Sequence, residues 1–255
     1  MQNKIGVFIP VRLDSSRLPQ KALLDIMGRP VLQHLVERLK LAQSPDAIVI
    51  CTSREPTDDP LVSLAQATGV KIFRGSKEDL LQRFLEAAQE NHLDLIVNVD
   101  GDDILVDPEQ VDAMARALVE TDADFIRFEG LPFGGAPIGV RVEALARACQ
   151  IKDETDTATG WGRYFADADL FKTKIIKIED SELNHPEIRI TLDYQEDYQL
   201  FQAVFAELYR GQPVRLRDAV RLIKSRPDIE AINSGLEERY WAHFHTATSP
   251  SIKSS

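Results

Sequence analysis

The sequence predicts an α/β chain built on a doubly wound, mostly parallel sheet. Three observations point there. Strand and helix patterns alternate from the N-terminus to about Phe128. The apolar runs are continuous, as in strands buried on both faces. No internal repeat or low-complexity block interrupts them.

Ile5–Val11 is an apolar run read as the first strand. Pro30 suits the first position of a helix through Lys40, with Val31, Leu32, Leu35, Val36 and Leu39 on one face. Ala47–Cys51 is a second strand. Asp59-Pro60 opens a helix to about Ala67, and Gly69 ends it. Val70–Phe73 is a short strand. Ser76-x-x-Asp79 has the spacing of a capping box for a helix to about Asn91. Leu93–Val99 is the next strand, and Asp107-Pro108-Glu109-Gln110 opens a helix to about Val119. Asp124–Phe128 completes the alternation. Ligands of such sheets bind at the carboxyl ends of the strands.

Beyond about Glu129 the rhythm changes. Residues 131–140, LPFGGAPIGV, read as a loop entering a short strand. Arg141–Ala148 and part of Thr157–Ala166 read as helical. Lys172–Ile178 and Glu187–Leu192 read as strands that extend the sheet in antiparallel fashion. Tyr194–Tyr209, Leu216–Ser225 and Ser234–His243 read as helices. Residues 246–255 lack apolar content and are expected to be disordered, which leaves one domain over 1–245.

The chain has 255 residues, enough for one full-sized core, and a formal net charge of −11. That charge argues against nucleic acid or an anionic membrane surface as a partner. Cys51 and Cys149 are the only cysteines, so no disulfide framework or zinc site is suggested. The apolar run in MQNKIGVFIPVRLD is too short for a signal peptide, and nothing approaches ~18 apolar residues. A reducing cytoplasm is the expectation.

Against this acidic background, Arg12, Ser15, Ser16, Arg17 and Lys21 cluster after the first strand. Arg forks and a Lys point charge suit a polyphosphate, and the bland alternative is a solvated basic loop. The loop has neither Walker A nor GxGxxG glycine spacing. Asn98-Val99-Asp100-Gly101-Asp102-Asp103 follows another apolar strand at the same sheet edge. Hard carboxylate oxygens at Asp100 and Asp102 suit Mg²⁺, whereas the alternative is an Asp-rich surface turn. Asp193 ends the Glu187–Leu192 run, and Asp193-x-x-Glu196 is also a capping box, so ligand and cap stand side by side. Arg74 could meet a base or phosphate or be a surface Arg. Thr52 and Ser53 could read a nucleobase or form a turn. Trp161-Gly162-Arg163-Tyr164 could line a sugar pocket or simply pack. The five histidines are scattered, and no Ser-His-Asp spacing supports covalent hydrolysis.

Four segments in order, PVRLDSSRLPQKALLDIMGRPVLQHLVERL, TSREPTDDPLVSLAQATGVKIFRGSKEDLLQRFLEAA, VDGDDILVDPEQVD and RITLDYQEDYQLFQAVF, resemble the cytidylyltransferases that activate bacterial surface sugars. These include the spore-coat polysaccharide type and, more distantly, the CMP-sialic acid and CMP-Kdo synthetases. The resemblance implies a Rossmann-like fold of the nucleotide-diphospho-sugar transferase type, with a small antiparallel insertion, here 131–187, that makes a homodimer. It implies Mg²⁺-dependent transfer of CMP from CTP to a sugar acid or sugar phosphate. Carried over by position, Arg12, Ser16, Arg17 and Lys21 would hold the triphosphate. Asp102 and Asp193 would hold the metal with Asp100 nearby. Thr52, Ser53, Arg74 and Ser76 would contact base or ribose. Apart from the resemblance, the aromatic-rich segment from about 131 to 187 reads as a dimer face closing over an acceptor pocket, with Arg163 or Arg189 reaching an acceptor carboxylate or phosphate. The bland alternative is a small satellite core on a monomer with both arginines solvated. Two alternatives stand beside this reading: a glycosyltransferase using Asp100-Gly101-Asp102, and a catalytically degenerate nucleotide-binding protein.

Overall fold

The computed structural model describes residues 3–153, 156–157, 160–165 and 170–247. In chain order, β1 (Ile5–Pro10) leads through a hairpin of β2 (Asp25–Ile26) and β3 (Arg29–Pro30) to α1 (Val31–Leu39). β4 (Ala47–Ser53), α2 (Asp59–Thr68), β5 (Lys71–Gly75), α3 (Leu80–Glu90), β6 (Leu95–Asn98) and α4 (Pro108–Glu120) follow. Then come β7 (Phe125–Glu129), β8 (Ile138–Arg141), α5 (Val142–Ile151) and β9 (Thr173–Lys177). α6 (Gln195–Leu208), α7 (Leu216–Ser225), α8 (Pro227–Glu230) and α9 (Leu236–Ala247) complete the described chain.

Seven strands form one sheet in the order β5-β4-β1-β6-β8-β7-β9, and the β2-β3 hairpin forms a second, antiparallel sheet. β1 pairs in parallel with β4 on one side and β6 on the other, so the chain changes direction across the sheet there. A crevice opens at such a switch point. Side chains alternate between two cores, as a period of two requires. Ile5, Val7 and Ile9 face α1, α2, α4, α6 and α7, whereas Phe8 faces α3 and α5. Leu95 and Val97 repeat the first pattern and Ile96 the second.

The antiparallel part of the sheet differs from the sequence expectation. The reversed strand is β8, which turns back after β7 and inserts between β7 and β6. β9 then pairs with β7 in parallel. Glu187–Leu192 is not a strand. Its alternation is real, with Ile188, Ile190 and Leu192 in the core and Arg189, Thr191 and Asp193 buried polar. Its neighbour is the irregular 131–137 loop, through a single Phe133–Arg189 bridge. Caps also shift. Asp79, not Ser76, caps α3 by accepting from the Gln82 N–H at 3.0 Å. The expected tail lies outside the described residues beyond 247, while 246 and 247 end α9. Among the described residues no helix is long and apolar enough to cross a membrane.

Candidate active site

Three segments meet at the carboxyl edge of β1 and β6. The loop after β6 lies against the loop after β1, with the Gly101 N–H donating to the Pro10 carbonyl at 3.1 Å. A Cβ on Gly101 would stand 2.8 Å from Val11 Cβ, so only glycine permits this approach. The Asp103 N–H donates to the Asp100 carbonyl at 3.0 Å and closes the turn. The turn gathers Asp100, Asp102 and Asp103, whose carboxylate oxygens lie within 4.8 Å of one another. Burial, followed by the Asp102 charge, pushes the Asp100 carboxyl up to about 6. The same causes raise Asp103, despite a hydrogen bond with the Thr191 side chain. The third segment is 187–193, held by the Leu192 N–H donating to the Asp102 carbonyl at 3.1 Å. It delivers Asp193.

Lys21 Nζ bridges the second and third segments, 2.5 Å from Asp102 Oδ2 and 3.0 Å from Asp193 Oδ1. Arg17 Nη2 reaches the same Asp193 oxygen at 2.6 Å. Burial would lower the Lys21 ammonium pKa, but Asp102 and Asp193 together hold it well above the ordinary value. Burial would likewise raise Asp193, and Lys21 and Arg17 hold it below the ordinary carboxylate range. Behind Asp193, Arg189 is fixed by Asp193 at 3.1 Å and by Asp197 at 2.9 Å. Asp197 also accepts from the backbone N–H groups of Asp193 and Tyr194, both at 3.0 Å. Asp197 therefore caps α6, and the capping box expected at Asp193 and Glu196 does not form. Arg12, Ser15, Ser16, Arg17 and Lys21 line a pocket of about 310 Å³ beside Asp102. Cations, hydroxyls and a carboxylate cluster meet on one sheet edge, a donor set whose chemistry suits a polyphosphate and a hard cation.

Residues 7–224 match the sequence profile named Cytidylyltransferase. The chain belongs to the cytidylyltransferase family. The Bacillus subtilis spore coat polysaccharide biosynthesis protein SpsF is 27% identical over 232 residues, 89% of this chain and 96% of that protein. A 3-deoxy-manno-octulosonate cytidylyltransferase of Anaeromyxobacter sp. (strain K) is 30% identical over 178 residues, 65% of this chain and 64% of that one. The solved structure of a cytidylyltransferase from Leptospira borgpetersenii superposes with a TM-score of 0.83 at 26% identity, covering 89% of this chain and 97% of that one.

Several residues expected to touch nucleotide do other work in this cytidylyltransferase. The Thr52 and Ser53 hydroxyls are buried and donate to Asp58 Oδ2, at 2.8 and 2.5 Å. Asp58 Oδ1 accepts from the Leu13 N–H at 2.8 Å, which ties the phosphate-type loop to β4. Arg74 clamps the Ser53 and Glu55 carbonyls and pairs with Asp59. The Ser76 hydroxyl accepts from the Asp79 N–H at 3.1 Å. Arg189 is 7% exposed, does not line the main cleft, and holds Asp193 in place.

That cleft has a volume of about 800 Å³ and holds Arg12, Arg17, Asp100 and Asp102 at one end. Its lining also includes Trp161, Arg163 and Phe133. Sequence reasoning missed Arg83, which also lines the cleft and anchors on the Cys51 and Lys77 carbonyls. It also missed Asp58, whose partner Leu13 lies 45 residues upstream. Asp58→Ala should strand buried donors and cost on the order of 3 kcal/mol. At roughly 2–4 °C per kcal/mol, calorimetry should show a drop of some 6–12 °C. Burial would raise the Asp58 carboxyl, but hydrogen bonds from Ser53, Leu13 and Thr52 hold it below the ordinary range. Its contribution is thus full above about pH 4 and is lost as the pH falls through its folded value. Melts recorded down the acid limb should fall less steeply in Asp58→Ala.

Proposed function

We propose that this cytidylyltransferase moves CMP from CTP to an anionic sugar, a sugar acid or sugar phosphate, with release of pyrophosphate, for surface-glycan synthesis. The observation that carries this reading is the Arg17–Lys21 pair held between the phosphate-type pocket and the Asp102–Asp193 carboxylates. An acceptor oxygen attacks the α-phosphorus of CTP, and the bond from that phosphorus to the pyrophosphate oxygen breaks. Arg12, Arg17 and Lys21 neutralise the charge that develops on the leaving group.

The donor set fits a hard divalent cation, Mg²⁺ in our reading. Three converging carboxylates, two of them with raised pKa, share a single cation, the Lys21 ammonium on Asp102. Asp102 and Asp193 would hold it with Asp100 nearby, since these two already converge on one cationic group, the Lys21 ammonium. When bound, the ion neutralises phosphate oxygens. Leu170 and Ile175, exposed at and beside the edge strand β9, support a homodimer through 131–187. Membership of the family leaves the glycosyltransferase alternative without support.

The test is a pyrophosphate-release screen of four nucleoside triphosphates against sugar acids, sugar phosphates and neutral sugars. CTP with an anionic sugar should give release that needs both. Acceptor-independent release, or a preference for neutral sugars, would overturn the reading.

A further inference from the structure

The family match stops at residue 224, yet α9 begins at Leu236 and packs onto the active cleft. The Tyr240 ring centroid lies 5.8 Å from the Arg17 guanidinium carbon and 5.1 Å from that of Arg189. It stands 5.0 Å from the Phe133 ring, and Trp241 stands 6.0 Å from the same ring. Tyr240, Trp241 and Phe133 all line the 800 Å³ cleft. Trp241 keeps 37% of its surface exposed, much for a residue of its size in a cleft wall.

The strands β7, β8 and β9 supply another wall. Arg127 is in register with Ile138 on β8 and Ile175 on β9. Two residues earlier, Phe125 is in register with Thr173. All five line the cleft, as the two-residue period of a strand requires for one face. Arg127 is exposed, and its side chain makes no hydrogen bond or ion pair among the described residues. It also lines a cavity of about 380 Å³ together with Asp100, Asp102, Asp103 and Tyr240. Other arginines of the site are anchored: Arg12, Arg17, Arg83 and Arg189 each hold a carbonyl or a carboxylate. A guanidinium with its donors unused, in a cleft next to the reacting end, is placed to take an anion in bidentate fashion.

We propose that Arg127 anchors the anionic group of the acceptor and that Trp241, beside Phe133, is the platform for its sugar ring, so that α9 sets acceptor choice. The inference rests on the transfer reading above for its substrate class. The apolar C–H face of a sugar ring suits an exposed indole, and a pocket with one aromatic wall and few fixed polar groups orients such a ligand. The anion is a carboxylate or a phosphate, a chemistry that Arg127 serves equally.

Two measurements test this. In pyrophosphate release, Arg127→Ala should raise the acceptor KM by roughly 10–100-fold, the scale of a charge-assisted hydrogen bond. Trp241→Ala should raise it by roughly 3–10-fold. The KM for CTP should stay within about twofold in both, since ground-state acceptor binding alone is removed. Running 2-keto sugar acids beside sugar 1-phosphates tells which anion the site takes. In parallel, the same sugars are titrated against intrinsic fluorescence without CTP. An anionic sugar should perturb emission in the natural chain, much less in Trp241→Phe, where Trp161 is the remaining indole in the cleft, and only weakly in Arg127→Ala. If that pattern holds while no sugar supports pyrophosphate release, the binding site stands and the transfer reading falls. Unchanged acceptor KM in both alanine variants, or no fluorescence response to any anionic sugar, overturns the proposal.

Discussion

Lys21→Ala lowers kcat/KM by roughly 10²–10³-fold, the loss of one electrostatic stabiliser worth about 2.7–4 kcal/mol. The structure gives this expectation two causes. Lys21 lines the pocket read as the phosphate site, and it is also the cation between Asp102 and Asp193. Its removal takes a charge from the departing pyrophosphate and leaves two carboxylates facing each other. The fold should persist, because Lys21 opens a short 3₁₀ turn at the sheet edge and is not part of the core. Steady-state pyrophosphate release checks the rate, and a melt checks the fold. Unchanged kinetics in a folded Lys21→Ala chain would remove Lys21 from the machinery.

The second large effect is expected at Asp193. Asp193→Asn keeps the size of the side chain but loses the charge that Lys21, Arg17 and Arg189 share. Turnover should fall by at least about 10²-fold, comparable with the loss of one preorganised group. A helix-cap role would predict little change, since Asn caps about as well as Asp. The structure assigns that cap to Asp197, so the substitution separates charge from capping cleanly. Arg189 retains Asp197 as a partner, which limits the structural cost. A Mg²⁺ titration of turnover, with Mn²⁺ binding followed by electron paramagnetic resonance, reads the ligand role. Wild-type turnover and unchanged Mn²⁺ affinity would return Asp193 to a purely structural position.

Much of this was legible in the sequence, for physical reasons. The strands of the parallel half are continuous apolar runs because both faces are buried, and Gly69 adopts the left-handed cap that ends α2. Cations and carboxylates after β1 and β6 could be joined because parallel strands deliver their following loops to one edge. Three things were not legible. The direction of β8 depends on pairing between segments, which a one-dimensional pattern does not carry. The Thr52 and Ser53 hydroxyls looked available because their acceptor, Asp58, sits in an unremarkable Pro-Thr-Asp-Asp turn. Arg127 is one Arg in an apolar strand, and only the register with Ile138 and Ile175 shows which face it takes.

The reversed strand β8 also bears on how the chain is made. β6 ends at Asn98, and the strand that covers its free edge begins at Ile138, 40 residues later. At roughly 5–20 residues per second, a ribosome takes about 2–8 s to synthesise that interval. During that time β5, β4, β1 and β6 can be assembled with the β6 edge still raw, a template for pairing with another nascent chain. The loop bearing Asp100, Asp102 and Asp103 stands at the end of that same strand, and its partner Asp193 is synthesised later still. Vectorial synthesis therefore completes the anion-rich centre only after the edge has been sealed, and the interval between is when a nascent chain is most open to a holding chaperone.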